Sequence, residues 1–153
     1  MLSRLSIAMF IAVALAAATP SDAQKPEYGS AAEARAMLEK TVAALKADKA
    51  KALAMINKGE GGFKDRDLYP ACSGLDGKVT AHPDKTRIGM DRNTMKDETG
   101  KAYGAEIMKV AAEGRIAEVS YVFPRPGPDK TPVQKVAYVT RVGDQVCLVG
   151  YYK

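Results

Sequence analysis

The chain has a single histidine, His82, and only two cysteines, Cys72 and Cys147. One imidazole excludes a metal centre built from several histidines of one chain. A Ser-His-Asp or Cys-His arrangement has only His82 to form around, and nothing in the sequence places a nucleophile near it. The cysteines stand in neither a CxxC nor a CxxCH spacing, so redox catalysis and covalent haem attachment have no support. The glycine-rich spots at Gly61-Gly62 and Gly104 lack the lysine and spacing of a phosphate loop. Acidic pairs such as Asp65 and Asp67 fall in a turn, where Asp serves the backbone. The net charge is +5, but no block of one sign carries it. The densest cluster, Lys46, Lys49 and Lys51, is interrupted by Asp48 and reads as a solvated helix face, not a nucleic-acid patch. Internal repeats and low-complexity tracts are lacking too. These absences point away from an enzyme, a cofactor protein and a nucleic-acid binder.

Long apolar runs are also missing. The one continuous stretch, residues 5–18, is shorter than the roughly 17 residues needed to span a bilayer, so an uncleaved anchor is disfavoured. It follows Arg4 and ends before Thr19-Pro20-Ser21-Asp22-Ala23. A basic start, a short apolar middle and small residues before a cut make a secretory signal. Residues 1–23 are expected to leave as a signal peptide, with Ala18 as the second cleavage position. Residues 24–153 then form one exported domain, periplasmic or secreted and not membrane-embedded. A domain of that length buries about two-thirds of its unfolded surface. In an oxidising compartment Cys72 and Cys147 have two readings. They form a disulfide, worth about 4.5 kcal/mol for so long a loop, or they are buried thiols in neighbouring strands.

What is present is strand at the C-terminus. In residues 115–124 Ala117, Val119, Tyr121 and Phe123 fall on one face while Glu118 and Ser120 fall on the other. Two further runs, 132–142 and 145–153, are joined by Gly143-Asp144, which reads as a hairpin. Both faces of these runs are apolar, as in a sheet covered on two sides. Upstream, Ser30-Ala31-Ala32-Glu33 is a capping box. Residues 31–57 are rich in helix formers, with Leu38, Val42, Leu45, Leu53 and Ile56 on one stripe, and Gly59 stops them. One long helix is expected on the back of the sheet. Residues 68–72 read as a short strand, at an edge or a bulge because of Pro70, and residues 78–81 return after the Asp76-Gly77 turn. Residues 84–99 read as irregular with at most a turn of helix near 93–96, and residues 101–113 as a second helix.

Three side chains stand out as binding groups. Lys135 points the same way as Ala137 and Val139 in a covered strand, so its ammonium is either at a rim or paired with an anion. Tyr121 lies on an apolar face with a hydroxyl that needs a partner when buried. His82, before Pro83, is a turn residue or a rim residue. Arg66 and Arg87, in irregular segments, are weaker candidates.

In order along the chain, the Asp76-Gly77 turn, Ala81-His82-Pro83, Gly89, residues 97–100, Gly114, Val119 with Tyr121, Pro124, Lys135 with Tyr138, and Gly150-Tyr151-Tyr152 resemble a single Cache domain. This is the PAS-like extracytoplasmic sensor module, here of type 2 and in a stand-alone exported form. The resemblance covers most of residues 24–153. It implies an α+β fold with a long N-terminal helix packed on a five- to six-stranded antiparallel sheet. It also implies a pocket on the opposite face for a small carboxylate or an amino-acid-like metabolite, without catalysis or cofactor. Carried over residue by residue, the ligand-binding positions are Tyr121, Lys135 and Tyr138, with His82 near the rim. Because Lys135 and Tyr138 are three apart, they share one face only across a bulge. Most such modules drive a membrane receptor or a sensor kinase. A stand-alone form is expected to report to such a partner, with residues 84–112 closing over the ligand. The alternative is a structural or protein-interaction module whose pocket is closed by side chains.

Overall fold

A computed structural model describes residues 26–153; the expected signal peptide and both cleavage positions lie outside the described residues. Two helices come first, α1 (Ala31–Ala47) and α2 (Lys49–Lys58). Strands β1 (Pro70–Gly74) and β2 (Val79–Ala81) follow, then short 3-10 turns at Lys85–Arg87 and Arg92–Thr94, and helix α3 (Tyr103–Val110). Strands β3 (Ala117–Pro124), β4 (Pro132–Val142) and β5 (Gln145–Tyr152) close the chain. Among the described residues, no helix is long and apolar enough to cross a membrane.

The expected capping box is formed. Ser30 Oγ accepts from the Glu33 N–H, and the Glu33 carboxylate accepts from the Ser30 N–H. The expected single helix, however, is broken at Asp48. Asp48 takes an extended conformation, and its carboxylate accepts the Lys51 N–H as N-cap of α2. A side chain that can hydrogen-bond the backbone locally here outweighs a composition of good helix formers. Gly59 ends α2 in the left-handed region that glycine enters without a Cβ clash.

All five strands are antiparallel, in the order β2-β1-β5-β4-β3. β1 is therefore an inner strand, so of the edge or bulged position expected from Pro70 the edge is not taken. Pro70 sits at the strand's first residue, where a missing N–H costs least. The irregularity lies at the other end, where Cys72 pairs with Ala81 but Ser73 with Val79. Cys72 and Cys147 are bonded across β1 and β5, where they are directly paired. They belong to the layer packed under α1 and α2 with Ala34, Leu38, Leu45, Ile56 and Val149.

The two edge strands, β2 and β3, are consecutive in sequence. The chain between them must cross the whole face of the sheet that α1 and α2 leave free. Tyr103 and Ile107 of α3 pack there on Val119, Tyr121, Ala137, Val139 and Leu148. Gly104 allows this approach: a Cβ on it would fall 1.8 Å from the Arg92 carbonyl oxygen. The crossing segment is thus held close over the sheet, and the side chains between them define the site.

Candidate functional site

Lys135 is at the centre. On β4 it is paired with Tyr121 of β3 and Tyr152 of β5. Alternation points it away from α1 and α2, and it is only 2% exposed. Its ammonium donates to Tyr69 Oη at 3.2 Å and Tyr152 Oη at 3.3 Å. The rings of Tyr69, Tyr152 and Phe123 surround it at 4.8, 4.7 and 5.2 Å. Aromatic faces stabilise a cation but do not neutralise it. Tyr152 in turn donates to the Pro124 carbonyl at 2.8 Å.

A second buried cation faces the same space. Arg92, in the crossing segment, is 4% exposed, and its Nε donates to Ser73 Oγ at 2.6 Å. Burial, which disfavours the charged form, pulls its pKa below the ordinary arginine value. Arg87 lies further out, with its guanidinium over the Phe123 ring at 5.1 Å. Among the described residues, neither Lys135 nor Arg92 forms an ion pair with a carboxylate.

Tyr121 stacks on Tyr103, with ring centroids 4.2 Å apart and planes within 6°. Burial raises the pKa of its phenol well above the usual value, and among the described residues its hydroxyl has no hydrogen-bond partner. His82 stands at the rim. Its Nδ1 accepts the Asp84 N–H at 2.9 Å, so the neutral ring carries its proton on Nε2. Burial, and next the positive charge of Arg87, hold its pKa down at about 4. Its ring meets Tyr69 edge-on at 5.1 Å.

Lys135, Tyr121 and His82 thus line one cavity of about 30 Å³, together with Arg87, Arg92 and Tyr69. Tyr138 does not join them. The register on both sides of β4 is unbroken, so no bulge brings Tyr138 round. It lies on the helix side, against Tyr151 and beneath Arg35. Arg66 is elsewhere too, donating to the carbonyls of Pro26 and Tyr28 and pairing with Glu33 at the start of α1. Sequence reasoning missed Arg92, Tyr69, Tyr152 and Phe123 as groups around the cavity. Phe123 shared a face with Tyr121 in the strand pattern, and that was a usable signal. Arg92 stands in a segment with no periodicity, and nothing in the sequence marks it.

The family model described as Single Cache domain 2 matches residues 6–150, and the chain belongs to that family. Among curated proteins none matches. Solved structures share the fold at low identity. One is a methyl-accepting chemotaxis protein from Vibrio parahaemolyticus RIMD 2210633, at 22% identity and TM-score 0.65, covering 79% of this chain and 86% of that one. A periplasmic sensor domain of a chemotaxis protein is 23% identical, with TM-score 0.59 and coverage of 78% and 87%. A third, from work titled as the structural basis for carboxylic acid recognition by a Cache chemosensory domain, is 24% identical, with TM-score 0.59 and coverage of 78% and 85%. The Cache architecture expected from the sequence is the architecture found, with five strands.

Proposed function

We propose that this protein is an exported, non-catalytic sensor-type domain that binds a small carboxylate between the sheet and the crossing segment. The observation that carries the reading is the pair Lys135 and Arg92, two buried cations on one cavity with no described carboxylate partner. An uncompensated buried charge costs several kcal/mol and is retained where an anion completes it. Tyr121 supplies a hydroxyl for the ligand's oxygens, and neutral His82 supplies an Nε2–H at the rim. The domain, taken as residues 24–153, works outside the cytoplasm, where its disulfide persists. Occupancy reorders residues 84–112, and a membrane receptor or sensor kinase reads the altered surface.

The cavity's small volume, about that of one water, favours a second reading, a protein-interaction module closed by its own side chains. Thermal unfolding in the presence of acetate, propionate, lactate, amines and amino acids separates the two. A carboxylate at about 100 times its Kd adds about 2.7 kcal/mol to stability, and Lys135→Met abolishes the gain. No shift from any carboxylate, in protein freed of co-purified ligand, leaves the closed module standing.

A further inference from the structure

Phe123 stands between two cations. Its ring centroid is 5.2 Å from Lys135 Nζ on the inner side and 5.1 Å from the Arg87 guanidinium carbon on the outer side. Beyond it lies a second cleft, of about 350 Å³, which shares Tyr69, His82, Arg87 and Phe123 with the inner cavity. The outer cleft is bounded by the His82-Pro83 turn and by the proline-rich loop between β3 and β4. Four cations line it, Lys64, Arg87, Arg125 and Lys130, against one carboxylate, Asp84. Asp84 is engaged by the Thr86 N–H and hydroxyl. Arg125 is offset by Asp67 at 3.6 Å. The net positive charge therefore falls to Arg87, Lys64 and Lys130.

The inner cavity holds about one water molecule, less than a carboxylate occupies, so any occupant displaces a wall. Tyr121 is fixed by its stack on Tyr103, and Tyr152 by its bond to the Pro124 carbonyl. Phe123 is only half-buried, one residue from the end of β3. It is more exposed than Tyr121 or Tyr152 and is held by edge contacts to Tyr103 and Tyr121; turning it outward joins the two spaces. A ligand carboxylate replaces the ring's weak hold on each cation with a charge-assisted hydrogen bond.

We infer that the outer cleft is a second anion subsite of the same binding site, and that the ligand is an elongated dianion of the dicarboxylate class. One acidic group meets Lys135 and Arg92, and the other meets Arg87 with Lys64 and Lys130. The chain between them passes where the Phe123 ring now stands. This rests on the reading of the inner cavity as a carboxylate site. It also excludes ligands with an ammonium group, which would face cations at both ends.

Calorimetric titration at fixed ionic strength tests it, with glutarate and adipate set against butyrate and hexanoate. The dicarboxylates should bind about tenfold more tightly. The double variant Lys64→Gln, Lys130→Gln should weaken the dicarboxylates more than butyrate and so narrow the gap between the two series. Equal affinities for the two series, or a double variant that weakens both alike, overturns the outer subsite and leaves the inner one intact. Binding by neither series overturns the inner carboxylate site as well.

Discussion

Gly150 and Lys135 occupy one space: a methyl group on Gly150 would fall 2.3 Å from Lys135 Cε and 3.2 Å from Cδ. Gly150 is paired with Ala137 on β4, two residues along from Lys135 on the same face. The absence of a side chain there is what lets a long cation lie inward along the sheet. Gly150→Ala must push the lysine out of its ring of Tyr69, Tyr152 and Phe123. The expected cost is about 1–3 kcal/mol, typical of overpacking a filled interior. In urea unfolding this appears as a lower midpoint with an unchanged slope. Adding Lys135→Ala should recover most of the loss, because both changes act on one volume. A double-variant loss equal to the sum of the two single losses would mean the two residues are independent.

The charge of Lys135 should itself weigh against stability in the ligand-free protein. Lys135→Met keeps the length and apolar stem but removes a cation that no described carboxylate balances. Replacing buried charge with apolar groups of similar volume is commonly neutral or stabilising. The expectation is an unchanged or higher unfolding free energy together with lost carboxylate binding, the pattern of a group kept for function. A drop of about 2 kcal/mol or more would instead make Lys135 a structural fixture of the aromatic cluster.

The strand half of this fold was legible in the sequence because alternation and turn chemistry are local. Ala117, Val119, Tyr121 and Phe123 on one face, and the Gly143-Asp144 turn, need no partner to be recognised. The helix break at Asp48 was not legible, since Ala, Leu, Lys and Met on both sides argue for continuity and only the cap geometry argues against it. Lys135 could be singled out because a lysine in phase with Ala137 and Val139 conflicts with its surroundings. Tyr138 illustrates the limit of positional carry-over. Its spacing from Lys135 already put it on the other face, and the unbroken ladder leaves it there. Arg92 was invisible because its position depends on the crossing from one edge strand to the other, a consequence of topology and not of any local pattern.

The placement of Tyr138 has a direct check. Tyr138→Phe removes a hydroxyl on the helix side and should leave carboxylate affinity within about twofold, as expected for a surface change away from the site. Tyr121→Phe removes a hydroxyl beside Lys135 and should weaken binding by about tenfold, the usual effect of losing a hydrogen bond to a charged group. Titration calorimetry on the two variants gives both numbers. A reversed order would put the ligand on the wrong side of the sheet for everything proposed here.

Reduction of the Cys72–Cys147 bridge should loosen the inner strands. The bond closes a loop with a sequence separation of 75 and ties β1, which follows Tyr69, to β5, which carries Gly150 and Tyr152. Loss of such a bridge costs about 2–5 kcal/mol. The variant Cys72→Ala, Cys147→Ala and the reduced wild type should therefore unfold at similarly lowered denaturant midpoints. A double variant as stable as the oxidised protein would assign the strand pairing, not the bond, as the anchor.

His82 predicts how stability changes with pH. Its folded pKa is about 4, against 6.5 for the free side chain, with burial the largest cause and the charge of Arg87 next. Lys135 and Arg92 act in the same direction and Asp84 opposes them. The Tyr69 ring packs against it edge-on. Between pH 6.5 and 4 the unfolded chain binds a proton at this residue that the folded chain does not. Stability therefore falls as the pH drops through that window, by about 3 kcal/mol at most. Glu33 acts in a lower window. Its pKa is held at about 2, first by the Ser30 backbone N–H and then by Arg66, so its contribution is lost only below about pH 4.5. Measurements between pH 7 and 5 isolate the histidine. His82→Asn offers an oxygen where Nδ1 accepts the Asp84 N–H and carries no titrating group. It should flatten the slope in that range, and a slope identical to wild type would assign the acid sensitivity to another group.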